Sequence, residues 1–552
     1  MKLIIIGLDG ATFDLIKPWA AEGKLPTLAR LMQDGTHGYL ESTLPPVTSP
    51  AWPTFMTGKN PGKHGVFDFI RPRAGSFDMV NASQIHGKLL WEILSEAGYS
   101  VGVLNVPITY PPRPVNGYLV PGLLSPDQGK TVYPIDFRKP YEAELGKYRL
   151  TPNVQYKPGN EAEFIADIHD LIDTQLRYAL RLMTDRPTDV LMLHFLASDN
   201  GSHALWRFMD KSHPRYDAAL AGKYGDALQN LYQHLDQAVA AVIDQAHSTA
   251  AGGQPSGLNT IVMSDHGFGP LHRTINLNIL FLEKGLMFLK PKLSTRLRYW
   301  AFRHGLTPAG VYKILSKLGL QNITARVSRK ARNEVVGKFL SFEDVDWSRT
   351  VAYSMGHVGQ IYINLKGREP FGRVEPDRYL EARQQVITAL NTLIDPDTGK
   401  SLVDRIIPRE EAAHGPYLDQ GADLHLILDD YKTIAFPLFA TEGRVLTPQI
   451  RGDSGCHRLY GIFIGSGAAF EKGAEVSSAR IIDLAPTILH ILNTPIPADM
   501  DGRVLIDALT PELRSRASQV GAAADGIPNQ VDLSDVEQAE VEERLRALGY
   551  LG

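Results

Sequence analysis

Cysteine is nearly absent from this sequence: Cys456 is the only one in 552 residues. One thiol excludes a disulfide framework and fits a reducing compartment. No run approaches the roughly 18 uncharged apolar residues that a membrane-spanning helix needs. Lys2 followed by Leu-Ile-Ile-Ile resembles the start of a secretory signal, but the run breaks at Gly7 and Asp9 and no small-residue cleavage site follows. The expected location is the cytoplasm. Charge of one sign is not in excess either. The 57 Lys+Arg stand against 61 Asp+Glu, a formal net charge of −4, so no nucleic acid duplex is expected as a partner. Low-complexity tracts and internal repeats are missing. What remains is an ordinary composition, 43% hydrophobic and 21% charged, with chain enough for a large core. At roughly 150 residues per domain it allows about three domains, a number that α/β enzymes often undercut.

The chain is organised around its first ten residues. Leu3 to Leu8 is an isoleucine-rich apolar run, and β-branched side chains suit a pleated surface covered on both faces. It reads as a buried strand. The run stops at Asp9-Gly10. That is either a simple turn or the place, past a central strand, where open α/β sheets hold ligands. Residues 12–34 read as two helices separated at Pro26. Prolines then crowd Thr48 and Ser49, stiffening a loop, and Ala51 to Thr57 runs on as helix with Pro53 in its first turn. Residues 86–104 read as helix then strand. Residues 105–160, rich in Pro, Gly and Tyr, suggest a long irregular excursion lining a cleft. Phe164, Ile168, Leu171, Ile172, Leu176 and Leu180 mark an amphipathic helix over 161–184. Asp189 to Leu196 is the next strand, 226–246 the next helix and Thr260 to Met263 a further strand. This alternation predicts parallel βαβ units.

Between Lys290 and Lys338 twelve basic residues face one acid, Glu334, with Tyr299, Trp300, Phe302 and Tyr312 interleaved. The segment 285–340 reads as an inserted basic helical cap. It is a solvated hairpin packed on the body, a collector of anionic substrates, or a contact for an anionic membrane surface. Val358 to Leu365 returns as strand, 377–394 is helical and 423–428 is a strand. Cys456-His457 falls in a Gly-rich loop before a strand at Tyr460 to Gly465, and Ala479 to Leu492 reads as a closing helix. The catalytic body is thus expected over 1–284 and 341–515. Residues 516–532 read as a flexible linker. Ser534-Asp-Val-Glu537 is a capping box opening a last helix, so 516–552 forms linker plus amphipathic helix.

The chemistry lies in polar residues of loops, mostly just beyond predicted strands: Asp9, Thr48, Asp199, His203, Asp265, His266 and His457. Carboxylates and imidazoles suit zinc with open positions left for substrate. Two ions about 4 Å apart can hold the attacking and leaving oxygens of a displacement at phosphorus. A divalent cation also eases ionisation of a Thr hydroxyl. Asp199 and His203 have the spacing of ligands on one helix face.

These residues, in this order, resemble the alkaline phosphatase superfamily in its type I phosphodiesterase/nucleotide pyrophosphatase branch. The resemblance runs from Leu3 to about Leu492. It rests on Asp9-Gly10, Thr48-Ser-Pro50, Thr57-Gly58, His64-Gly65, Asp199-x-x-x-His203, Ser264-Asp-His-Gly267 and Gly455-x-His457. It implies a three-layer α/β/α sandwich with a mostly parallel sheet. It implies one metal on Asp199, His203 and His457, and a second on Asp9, Asp265, His266 and the Thr48 oxygen. The expected metals are Zn²⁺ or Mn²⁺, since both accept these ligands, with Zn²⁺ preferred. Thr48, favoured over Ser49 by the position of Pro50, would attack phosphorus to give a phosphothreonine that water hydrolyses. The substrate would be a small phosphate ester or a nucleotide.

The chain departs from the family in one place. Related nucleotide pyrophosphatases carry an Asn downstream of the nucleophile, beside a non-bridging oxygen; here Val66-Phe-Asp-Phe69 has none, leaving Asn60, Lys63 and His64 as candidates. Lys366 and Arg368 are further candidates for a phosphate contact. Thr48-Ser-Pro-Ala-Trp52 lacks the Cys or Ser and the Arg that related sulfatases need, which disfavours sulfate esters. The rival functions are a phosphomutase or phosphotransferase of the same superfamily and a non-catalytic metal- or phosphate-binding protein. The sequence does not fix the oligomeric state.

Overall fold

The computed structural model describes residues 1–74, 76–126, 132–134, 138–248, 257–307, 339–356, 358–435, 439, 443–449, 452–524, 526 and 533–547. Its central sheet has nine strands. They are β1 (Leu3–Leu8), β2 (Thr36–Glu41), β3 (Val101–Leu104), β4 (Gly117–Val120), β5 (Val190–Phe195), β6 (Asn259–Met263), β9 (Tyr460–Gly467), β10 (Ala474–Glu475) and β11 (Ala479–Arg480). Two further strands, β7 (Gly267–Pro270) and β8 (Gly455–Arg458), form a separate antiparallel ribbon. The sheet order is β10-β2-β9-β6-β1-β5-β3-β4, with β11 also on β2. β1 pairs in parallel with β5 on one side and β6 on the other. Only β9 runs against its neighbours.

β1 shows why the run reads as a strand covered twice. Leu3 and Ile5 join one hydrophobic cluster, and Ile4, Ile6 and Leu8 the other. Alternate side chains of a strand point to opposite faces, so each face needs its own helical layer. One layer includes α1 (Thr48–Thr57), through Trp52 and Phe55, and α6 (Leu484–Ile491), through Leu484 and Ile488. The other holds α2 (Glu161–Asp185), α3 (Ala197–Met209) and α4 (Ala227–Ser248), through Ile168, Phe208 and Leu231. Gly7 interrupts the isoleucines for a packing reason: a Cβ there would stand 2.6 Å from the Trp52 ring and 3.3 Å from His194. A smaller antiparallel sheet of Ala352–Ser354, Gln360–Ile363, Leu424–Leu428 and Val403–Pro408 lies apart from the first.

Several expectations need correction. The stretch with Thr48 and Ser49 is not a loop, because α1 begins at Thr48. His457 lies in β8 rather than in a loop, since the glycines around it serve close pairing with β7. The closing helix is shorter than 479–492. Ala479–Arg480 is a strand, a 3-10 turn follows, and α6 starts at Leu484. The described part of 516–532 is tied to the body: Ile496–Pro497 pairs with Val520–Gly521, and Gly87 N–H donates to the Gly526 carbonyl at 2.8 Å. The capping box forms as read, with Glu537 N–H donating to Ser534 Oγ at 3.4 Å and Ser534 N–H to Glu537 Oε2 at 2.9 Å. Of the basic segment 285–340, α5 (Leu293–Arg303) is described. Residues 308–338 lie outside the described residues. No described helix is long and apolar enough to cross a membrane.

Candidate metal centre

Three adjacent parallel strands, β6, β1 and β5, end at one rim. Asp9 follows β1 directly, Ser264-Asp265-His266 follows β6, and α3 carrying Asp199 follows β5. Gly10 takes a left-handed φ of 64°, and its N–H donates to Asp265 Oδ1 at 3.2 Å, which ties two of these ends together. Asp199 and His203 lie one turn apart on α3, so they share a face, and Asp199 sits in the first turn where the helix dipole favours a carboxylate. His457 arrives through the ribbon. Its register partner is Phe268, so its ring stacks on that of His266, centroids 3.7 Å apart.

All seven residues predicted from the sequence are linked by contacts. Asp199 Oδ1 is 3.4 Å from His203 Nε2 and 3.3 Å from His457 Nε2. His266 Nε2 is 3.6 Å from Asp9 Oδ1, 3.4 Å from Asp265 Oδ2 and 3.3 Å from Thr48 Oγ1. Ligand atoms of Asp199, His203 and His457 fall within 4.8 Å of one another, and so do those of Asp9, Asp199 and His266. Asp199 thus belongs to both groups, which the sequence does not anticipate. Asp9, Thr48, Asp199, Asp265 and His266 are fully buried, whereas the His203 side chain is 16% exposed.

The hydrogen bonds show what this rim is built to hold. Each imidazole has its Nδ1 against a backbone carbonyl: His203 on Gly455 at 3.1 Å, His266 on Gly267 at 3.1 Å and His457 on Pro46 at 3.0 Å. An Nδ1–H donating there leaves each Nε2 with its lone pair toward the carboxylates, the tautomer that binds a metal. Among the described residues Asp9 Oδ1 and Asp265 Oδ2 are buried without a hydrogen-bond donor, although buried carboxylate oxygens are costly to leave unmatched. Burial, then the neighbouring Asp265 and Asp199, raises Asp9 far above the usual carboxylate range; burial likewise raises Asp265. Burial pushes His457 down to about 3, with His266 adding to the effect. Burial opposes the charge on Asp199 and His203, but their attraction outweighs it, lowering Asp199 and raising His203 to about 9. Crowded carboxylates, unmatched oxygens and three inward Nε2 atoms fit divalent cations, which would displace the protons these groups hold.

Sequence reasoning missed His194 and Trp52. His194 Nε2 donates to Asp9 Oδ2 at 2.7 Å and Trp52 Nε1 at 3.4 Å, which leaves Oδ1 for the centre. Burial pushes His194 down to about 3, so it is a neutral donor. Its only signal is a lone imidazole in the apolar strand β5. His194→Ala is expected to weaken cation affinity by about 10- to 100-fold without touching a ligand; metal titration of the purified variant checks this.

The other candidates have partners of their own. Asn60 Nδ2 donates to Asp501 Oδ2 at 2.7 Å, Lys63 pairs with Asp501 at 2.5 Å, and His64 Nε2 lies 2.9 Å from Thr54 Oγ1. Arg368 binds Asp423 at 2.6 Å and Lys366 pairs with Glu375 at 2.7 Å. Ser49 Oγ is buried with no hydrogen-bond partner among the described residues, unlike Thr48 Oγ1. α1 begins without a side-chain cap, because Val47 cannot supply one and Pro50 has no N–H. The first-turn N–H groups of Thr48 and Ser49 therefore open the positive end of the helix beside the carboxylates.

A mostly parallel sheet that gathers carboxylates and imidazoles at its strand ends places a donor set suited to divalent cations where α/β proteins hold their ligands. The chain matches the type I phosphodiesterase / nucleotide pyrophosphatase family over residues 3–436 and belongs to it. Members of that family are metal-dependent hydrolases of phosphoric esters. His457 lies beyond the matched span. No curated protein matches in sequence. Among solved structures, human ectonucleotide pyrophosphatase/phosphodiesterase 5 is 13% identical with a TM-score of 0.47, covering 90% of this chain and 95% of its own. The murine protein, as an inactive variant in complex with AMP, is 13% identical with a TM-score of 0.48 and the same coverage.

Proposed function

We propose that the protein hydrolyses a phosphodiester or nucleotide pyrophosphate through a covalent intermediate on Thr48. Asp199, His203 and His457 would hold one divalent cation, and Asp9, Asp265, His266 and Thr48 Oγ1 a second. Zn²⁺ and Mn²⁺ both suit this donor set. Bound cations would lower the cost of ionising Thr48 and offset charge on the phosphoryl oxygens. Thr48 Oγ1 gives up its proton and attacks phosphorus, the bond to the leaving alcohol or phosphate breaks and that group takes up a proton, and the phosphoryl group, still carrying its other substituent, is left esterified to Thr48. Water then attacks the same phosphorus and frees Thr48. The N–H groups that open α1 favour the negative charge gathered there.

The observation that carries this reading is Thr48 Oγ1 at 3.3 Å from His266 Nε2, at an uncapped helix start. A panel of nitrophenyl mono- and diesters assayed with Zn²⁺ and with Mn²⁺ tests it. Diester turnover that depends on added metal and releases the product to water is expected. Phosphoryl transfer to an added alcohol in place of hydrolysis would make the protein a transferase. No turnover of any ester by metal-loaded protein would make it a binding protein.

A further inference from the structure

α5 carries apolar side chains on two opposite faces. On the inner side Phe302 is buried and Tyr299 packs partly buried on the core, and the Phe302 ring meets that of Phe439 edge-on at 6.0 Å. On the far side Leu293, Leu297 and Trp300, at steps of four and three residues, are 74%, 59% and 57% exposed. A helix that only packs on a body needs one apolar stripe, not two. The segment's own charge is of one sign: from Lys284 to Leu306 there are six Lys and Arg residues and no Asp or Glu. Arg298 and Arg303 pair with Asp344 and Glu283 on other segments. Lys292 and Arg296 are exposed and have no acidic partner among the described residues. Arg296 flanks the stripe, and Lys292 sits at its N-terminal end.

We propose that α5 lies flat on an anionic lipid surface. Leu293, Leu297 and Trp300 enter the boundary between headgroups and acyl chains, and Lys292 and Arg296 meet the lipid phosphates and carboxylates. Exposed leucines with an amphipathic indole beside unpaired cations are what such a surface takes up. A second copy across a two-fold axis would set the cations of both stripes against each other. A nucleic acid would use the cations and leave the leucines in water.

The test is co-sedimentation of the full chain with vesicles of phosphatidylcholine alone and of phosphatidylcholine with phosphatidylserine. Binding to the anionic vesicles is expected, falling as salt rises. The double variant Leu297→Ser, Trp300→Ser should weaken it about tenfold or more. Arg296→Glu should weaken it at least about fivefold. Turnover of a soluble nitrophenyl ester and the melting temperature should stay unchanged in these variants, which keeps the result separate from the hydrolase reading. The proposal fails if anionic vesicles do not bind the protein at low salt, or if both variants bind like wild type. It also fails if the wild-type chain is a dimer that the double variant dissociates, for then a second copy covers the stripe.

Discussion

Thr48→Ala lowers diester turnover by at least about 10³-fold and leaves metal content near that of wild type. The hydroxyl of Thr48 faces the candidate ligands, with Oγ1 at 3.3 Å from His266 Nε2. Thr48→Val keeps the branched shape at a fully buried position and should fail equally, which separates lost chemistry from lost packing. Thr48→Ser keeps the nucleophilic oxygen and should retain part of the activity. Acid-quenched reactions analysed by mass spectrometry should show the Thr48 peptide carrying the substrate's phosphoryl group with its remaining ester substituent. Turnover that survives in both Thr48→Ala and Thr48→Val would move the attack to Ser49 or to water.

Asp199→Asn removes at least one equivalent of bound zinc and lowers turnover by about 10³-fold or more. Asp199 is the one carboxylate within reach of both ligand groups, and its oxygen lies 3.4 Å and 3.3 Å from the imidazoles of His203 and His457. An amide is nearly the same size but carries no charge, so the loss reads out electrostatics rather than a cavity. Chelation of the wild-type protein should act the same way, with activity restored by added Zn²⁺ or Mn²⁺. It should also lower the melting temperature. A cation that binds only the folded chain stabilises it by about 2.7 kcal/mol at a hundredfold excess over Kd. Without it, Asp9, Asp199 and Asp265 repel one another in a buried space.

Much of the architecture is legible in the sequence because local patterns and burial agree. The isoleucines of β1 alternate between two hydrophobic clusters, and the three- and four-residue steps of α2 face the sheet. The polar residues after β1, β5 and β6 are legible for the same reason: strands that are mostly apolar make a carboxylate or imidazole at their ends conspicuous. Long-range features are not legible. Nothing near Asp9 announces that His194, 185 residues on, will hold its outer oxygen. The sharing of Asp199 depends on how far α3 leans toward β1, and spacing does not encode that. His457 reads as a loop residue because Gly455 and its neighbours are turn formers, yet those glycines admit the close pairing with β7 that stacks it on His266. Prolines misplace the start of α1. Pro45, Pro46 and Pro50 crowd Thr48 and Ser49 and suggest a loop, but near a helix start the missing N–H of Pro50 costs little.

The central claim is that these seven side chains hold cations beside the Thr48 oxygen. Anomalous X-ray diffraction from crystals grown with Zn²⁺ tests it most directly. The expected result is two peaks. One should lie about 2.0–2.2 Å from ligand atoms of Asp199, His203 and His457, and the other at similar distances from Asp9, Asp265 and His266. No peak at this rim, with zinc bound elsewhere or not at all, would contradict it.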